Sequence, residues 1–178
     1  IATAMGWTFQ LLLSHPDVLK RAKAEVDEVL AGEPVNAEHV RRLDYLDAVI
    51  QESLRLFPPI PIVVRLLSRE AEVGGYTLPA DTIVCPCSYL LHREHDIYPD
   101  PLAYRPERLL GNRPGPFEFI TFGGGVRTCV GFGFSYFEMK IILATVLSRL
   151  NIRLAGEPSL AYRRKGIVLA PREGTPVV

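Results

Sequence analysis

The residue best placed to do chemistry is Cys129, in the stretch Phe122 to Gly131 that reads FGGGVRTCVG. Three consecutive glycines let backbone pass where a side chain would clash, so the cysteine can be presented to something bulky and flat. The segment that follows, Phe132 to Leu150, has only Glu138, Lys140 and Arg149 as charges and is apolar almost all round, which predicts a buried helix. Cys129 therefore stands just ahead of a helix N-terminus, whose free N–H groups and partial positive charge favour an anionic sulfur. Such a sulfur is a nucleophile or a metal ligand. Other loop chemistries fail on single residues. A phosphate-cradling loop needs Lys and then Ser or Thr after its last glycine, but Val126 and Arg127 follow Gly125. A dinucleotide fingerprint needs a third glycine where Thr128 stands. A phosphatase-type loop needs an arginine six residues after the cysteine, and Ser135 is there instead. Pairing of Cys129 with one of the four histidines stays open, with nothing local to support it.

Further residues with chemical potential are spread along the chain. Glu52 and Arg55 lie three apart, a spacing that brings their side chains together on one side of a helix. Arg65 interrupts the apolar run IPIVVRLLS, where a guanidinium requires an anionic partner. Cys85 and Cys87 straddle Pro86, so in extended chain both face the same way. With no second cluster to complete a metal site, they are expected in core packing. His92 and His95 lack a further ligand and are expected in a turn, partly exposed.

The elements that must position these residues follow from periodicity. IATAMGWTFQLLL is helical and apolar from its first residue with no cap before it, like a helix already under way, and Thr3 reads as a core residue. Ser14, before Pro16 and Asp17, reads as the cap of an amphipathic helix whose apolar side is Val18, Leu19, Ala22, Val26, Val29 and Leu30, with Gly32 as its stop. After a short helical piece, LDYLDAVIQESLRLFPP sets Leu46, Val49, Ile50, Ser53, Leu54 and Phe57 at helical spacing before Pro58-Pro59 ends the run. IPIVVRLLS, EVGGYTLP with Gly74-Gly75 as a hairpin turn, and DTIVCPC then read as short strands. The tail from Asn151 alternates short strands with Gly and Pro turns. The expected class is mainly α with small β-sheets (α+β).

Composition narrows the function classes. The chain has 178 residues, 48% hydrophobic and 22% charged, enough for one sizeable core. Twenty basic and twenty acidic residues cancel, so no global field argues for nucleic acid. Arg149, Arg153, Arg163, Arg164 and Lys165 give the C-terminal end a basic bias, either a solvated face or a dock for an acidic electron-transfer partner. Three cysteines do not suggest a disulfide framework and fit a reducing compartment. No uncharged apolar run of about 18 residues is present to span a membrane.

Phe122, Gly125, Arg127, Cys129 and Gly131, in the order F-x-x-G-x-R-x-C-x-G, closely resemble the haem-binding loop of the cytochrome P-450 family. The resemblance extends to Glu52-x-x-Arg55 and to Tyr104-Arg105-Pro106-Glu107-Arg108-Leu109, in the right order and spacing, with Leu109 where the family usually has phenylalanine. It implies haem b with the Cys129 thiolate as axial ligand, an anionic sulfur whose electron density favours O–O cleavage. It also implies that Arg127 and Arg65 hold the two propionates, that Phe122 packs near the sulfur, and that Gly131 lets the helix start close to the ring. Glu52, Arg55 and Arg108 would form a buried charge cluster. Ile60, Ile62, Val63, Val64 and Ile167 would line the substrate pocket, with plain core an equal reading for the first four.

As a whole, the chain resembles a single, N-terminally truncated haem-binding portion, residues 1–178, roughly the C-terminal half or less of a member. The residues that activate oxygen would lie upstream. The implied activity of the intact protein is a cytoplasmic haem-thiolate monooxygenase. It would take a small apolar substrate, O2 and electrons from a ferredoxin- or flavodoxin-type donor or a reductase. A haem-thiolate binding or sensing module without turnover is the alternative, and a haem-free structural remnant a third reading.

Overall fold

The computed structural model describes residues 1–112 and 114–178. Six α-helices run through the described residues: α1 (Ala2–Ser14), α2 (Pro16–Leu30), α3 (Ala37–Val40), α4 (Asp44–Leu56), α5 (Ser88–Leu91) and α6 (Phe132–Arg149). Three two-stranded antiparallel sheets accompany them: β1 (Arg65–Leu66) with β4 (Ile83–Val84), β2 (Ala71–Val73) with β3 (Tyr76–Leu78), and the hairpin β5 (Tyr162–Lys165) with β6 (Val168–Pro171). The chain is thus mainly helical with small sheets, as its periodicity predicts.

The core forms where α1, α2, α4 and α6 meet. Leu12, Ala22, Val26, Leu46, Val49, Ile50, Leu54, Leu143 and Ala144 are buried there in one cluster. The helical spacing in α4 explains its central place, because its apolar stripe is wide enough to face three neighbours at once. A second cluster joins α1 to the end of α4, with Trp7 stacked on Phe57 at 4.0 Å between ring centroids. The Trp7 indole N–H donates to the Leu169 carbonyl at 3.0 Å, so the terminal hairpin is pinned to α1.

Several expectations needed correction. Ser14 does not cap α2; its hydroxyl bonds back to the Gln10 carbonyl inside α1, and His15 takes the cap position with Pro16 as first helical residue. The helix stops at Ala31, already left-handed at φ 47°, one residue before Gly32. The run IPIVVRLLS yields only Arg65–Leu66 as strand, because Pro59, Pro61 and the facing Pro86 lack the N–H groups a continuous ladder requires. Cys85 is exposed and Cys87 half-buried, so neither packs in the core; the β1–β4 pair that leads to them is itself only half-buried or exposed at each of its four positions. Helix α6 buries only Met139, Leu143, Ala144 and Leu147, since its helical neighbours α2, α3 and α4 stack against one side. Its first turn leaves Phe132 and Phe134 exposed.

Candidate functional site

Two arrangements of charge flank the start of the cysteine loop, and they are built differently. The first centres on α4. Its helical spacing brings Glu52 and Arg55 together, both with no solvent exposure. Arg55 Nε donates to Glu52 Oε2 at 2.7 Å and an Nη2 hydrogen to Oε1 at 2.9 Å, a fork-to-fork pair. The remaining guanidinium hydrogens go to the carbonyls of His92 (2.6 Å), Pro101 (2.8 Å) and Ala103 (3.3 Å). Arg108 arrives from the turn Pro106–Arg108 and adds its Nε–H to Glu52 Oε1 at 3.0 Å, where the Arg105 backbone N–H also donates at 3.0 Å. Glu52, Arg55 and Arg108 are therefore in direct contact, and all five N–H groups of Arg55 have acceptors.

His92 carries this cluster to the loop, a role the sequence did not reveal. It is wholly buried rather than partly exposed, stacked on Phe119 at 5.1 Å, while His95 is the exposed one. The Ile120 backbone N–H can only donate, so Nε2 accepts it at 3.0 Å and the proton sits on Nδ1, which donates to the Arg55 carbonyl at 3.1 Å. Burial pushes the imidazole down to about 4, helped by the nearby Arg55 and Arg93 cations and opposed by the bond to the Arg55 carbonyl. The Thr121 hydroxyl then donates to the Leu54 carbonyl at 3.2 Å. Two consecutive residues thus clamp the entrance of the loop to α4 and α5.

The loop closes on itself beyond that clamp. The Cys129 backbone N–H donates to the Phe122 carbonyl at 2.8 Å, and Thr128 bonds Gly125 through both N–H (3.1 Å) and hydroxyl (2.8 Å). Gly125 has φ +65°, a left-handed conformation disfavoured by any side chain, which accounts for glycine at that place. Gly131 differs: its φ of −90° suits any residue, and an added Cβ would stand 3.9 Å from the Cys129 sulfur. Glycine at 131 therefore leaves space beside the sulfur rather than relieving strain. Phe122 packs against Tyr136 of α6 at 5.3 Å between ring centroids.

The second arrangement is a cavity of about 880 Å³, the size of a cofactor or ligand site. Its wall contains Ile60, Ile62, Val63, Val64, Arg65, Phe122, Arg127, Cys129 and Ile167, so most of the residues singled out from sequence meet on one surface. Gly125 and Gly131 lie in the adjoining loop, while Glu52, Arg55 and Arg108 lie apart from the cavity. Sequence reasoning missed Ala4 of α1, Thr121, Met139 and Arg164, which the tertiary fold brings to the same wall. Ile60, Ile62 and Val64 are exposed to the cavity and solvent and are not core residues. No ion pair among the described residues involves Arg65, Arg127 or Arg164, and the wall contains no Asp or Glu. Among the described residues Arg65 donates only to its neighbour's carbonyl, that of Val64, at 3.0 Å.

A sequence profile of the family described as cytochrome P450 matches residues 1–177. The chain belongs to the cytochrome P450 family. It is 39% identical over 155 residues to cyclooctat-9-en-7-ol 5-monooxygenase of Streptomyces melanosporofaciens, covering 85% of this chain and 34% of that protein. It is 40% identical over 178 residues to cytochrome P450 4V2 of Mus musculus, covering 97% of this chain and 34% of that one. The chain spans about a third of the length of the curated relatives it matches.

Cytochrome P450 proteins hold haem through a cysteine thiolate, and the cavity of this P450 chain fits such a group. The sulfur of Cys129 is exposed on the cavity wall and not buried in hydrocarbon. The wall beside it is dominated by apolar side chains, suited to a flat macrocycle, and the guanidiniums in it have no acid partner among the described residues, suited to carboxylate tails. Among the described residues no helix is long and apolar enough to cross a membrane.

Proposed function

We propose that residues 1–178 form a single haem-binding portion of a haem-thiolate monooxygenase, with Cys129 as the axial ligand and Arg65 and Arg127 as partners of the two propionates. One observation carries this reading: among the described residues, an exposed cysteine and guanidiniums without an ion-pair partner share a mostly apolar cavity wall that holds no acid. When bound, haem ligated by a thiolate supplies the activation of dioxygen and the insertion of one oxygen atom into an organic substrate.

The chain's own residues hold and orient. The bond from the Cys129 N–H to the Phe122 carbonyl fixes the loop that carries the sulfur, and Phe122 packs over the start of α6 beside it. Arg65 and Arg127 would each offer a planar fork to a carboxylate, which Lys would match less well. Ile60, Ile62, Val63, Val64 and Ile167 would exclude water and receive the apolar part of the substrate. The Glu52, Arg55 and Arg108 side chains are not part of the cavity wall; Arg55 bonds His92, which accepts the Ile120 N–H and so holds the loop entrance in register, while Thr121 ties the same entrance to the Leu54 carbonyl of α4. Electrons would come from a ferredoxin- or flavodoxin-type donor or a reductase, with O2 as co-substrate.

The absorbance spectrum of the reduced, carbon monoxide-bound full-length protein tests the assignment. Thiolate ligation shifts the Soret band characteristically, and Cys129→Ala is expected to abolish that shifted band. An unchanged band in the variant would refute Cys129 as ligand. Haem uptake without product from any apolar substrate, in the presence of a reductase system, would favour a binding or sensing module over an enzyme.

A further inference from the structure

His92 touches both the buried charge cluster and the entrance of the cysteine loop, and we infer that it is a positioning residue for Cys129. Neutral, it latches the loop shut; uptake of one proton opens the latch and releases the Cys129 thiolate from the iron. The inference rests on the haem reading above. His92 has no solvent exposure. That burial is supplied by residues of this span, so further chain could only deepen it.

The grip is double on each side. On α4, the Arg55 guanidinium donates to the His92 carbonyl at 2.6 Å and the His92 Nδ1–H donates to the Arg55 carbonyl at 3.1 Å, so the two residues bond each other reciprocally. On the loop, Phe119 stacks on the imidazole at 5.1 Å between centroids and the Ile120 N–H donates to Nε2 at 3.0 Å. The Ile120 carbonyl in turn accepts the Gly123 N–H at 2.9 Å, which closes the turn leading into the glycines. Phe122, inside that turn, accepts the Cys129 N–H at 2.8 Å. The imidazole is thus tied to the sulfur-bearing residue through one compact stretch of backbone.

Only one protonation state fits this place. A proton added at Nε2 would set a second donor against the Ile120 N–H and remove the bond. The surrounding charges oppose it as well. Arg55 from α4 and Arg93 from the end of α5 are cations, and Glu52 is already engaged by the Arg55 fork and by Arg108. Tyr98 lies edge-on at 6.1 Å and donates its hydroxyl to the Glu118 carbonyl, while Glu94, His95 and Asp96 are exposed. Burial foremost, then these cations, hold the ring down to about 4 against the usual 6.5. The closed latch is therefore fully favoured above pH 6.5, and its closing equilibrium weakens by about tenfold per pH unit from there down to pH 4.

Two readouts on the haem-loaded full-length protein between about pH 7 and 4.5 test this: absorbance of the reduced, carbon monoxide-bound form, and hydrogen exchange of residues 120–129 corrected for intrinsic rate. In the unaltered protein the thiolate-type Soret band is expected to fall reversibly with pH while the far-UV circular dichroism of the helices holds. Loop protection should drop by about tenfold per pH unit below pH 6. Glutamine is long enough to place an oxygen where Nε2 stands and does not titrate, so His92→Gln should keep band and protection across the range. Asparagine reaches only the Nδ1 position, so His92→Asn should lose part of the band, and about tenfold of the loop protection, already at pH 7. Protection that stays flat with pH in the unaltered protein overturns the inference without recourse to any variant. An equal acid loss in His92→Gln overturns it too, because the thiolate itself or the carboxylates would then be responsible. So does a His92→Asn protein indistinguishable from the unaltered one at pH 7, or a band that disappears together with the helical signal. Absence of a thiolate band at pH 7 in the unaltered protein defeats the haem reading instead, and the exchange slope still decides whether His92 latches the loop.

Discussion

Arginine appears in two regions of this molecule with opposite fates. In the α4 cluster, Arg55 is fully buried, and every N–H it has is taken up by Glu52 or by a backbone carbonyl. In the cavity wall, Arg65, Arg127 and Arg164 have no acid within ion-pair reach among the described residues. The first set is complete within the chain and serves the fold; the second has no acid partner among the described residues and, on the proposed reading, would be completed by anions of a ligand. A buried cation without partners would be too costly to keep, so the cavity arginines persist at a surface open to solvent. His92 joins the two regions, bonded to Arg55 on one side and to the Ile120 N–H on the other, so the self-contained cluster supports the loop of the open site.

The sharpest way to break this contrast is to remove the anion from the closed region. Glu52→Ala strands a buried guanidinium and is expected to destabilise the protein by about 3–5 kcal/mol, read as a large fall in the urea midpoint. Acid should act on the same region through His92. Its folded value of about 4 lies below the usual 6.5, so the unfolded chain takes up the proton first as pH falls. Stability is then full above pH 6.5 and declines by about 3 kcal/mol on the way to pH 4. Urea midpoints between pH 6.5 and 5, above most carboxylates, should show that slope, and His92→Asn should flatten it.

Smaller effects mark the edge of the cluster. Arg108→Ala is expected to cost about 1–3 kcal/mol, because Glu52 keeps the Arg55 fork and the Arg105 N–H. At the far end, Arg127→Gln should leave the urea midpoint of the haem-free protein unchanged while haem dissociates faster from the loaded one, followed by transfer to apomyoglobin. A stability loss in Arg127→Gln as large as in Arg108→Ala would erase the distinction between the two regions.

Much of the site could be read from residue types. The cysteine, the glycine that needs a positive φ at 125 and the helical spacing of Glu52 and Arg55 are local features, decided by covalent geometry and by the 3.6-residue period. Misreadings arose where the environment decided. His92 looked like a surface turn residue, and Cys85 and Cys87 looked like core, because whether a short segment is covered depends on layers contributed by distant chain. Arg164 stood among basic neighbours with nothing in the sequence to separate it from them.

The sequence by itself determined the helices, the closed loop and the presence of a sulfur flanked by glycine and arginine, since each depends on contacts between near neighbours. The tertiary structure decided which cations find an anion within the chain and which remain open to a ligand. That outcome turns on where residues more than fifty positions apart come to rest, as when Arg108 reaches Glu52 or Arg164 joins the wall built from Ile60 to Arg65. No local pattern encodes such distances, because they are set by the packing of whole elements against one another.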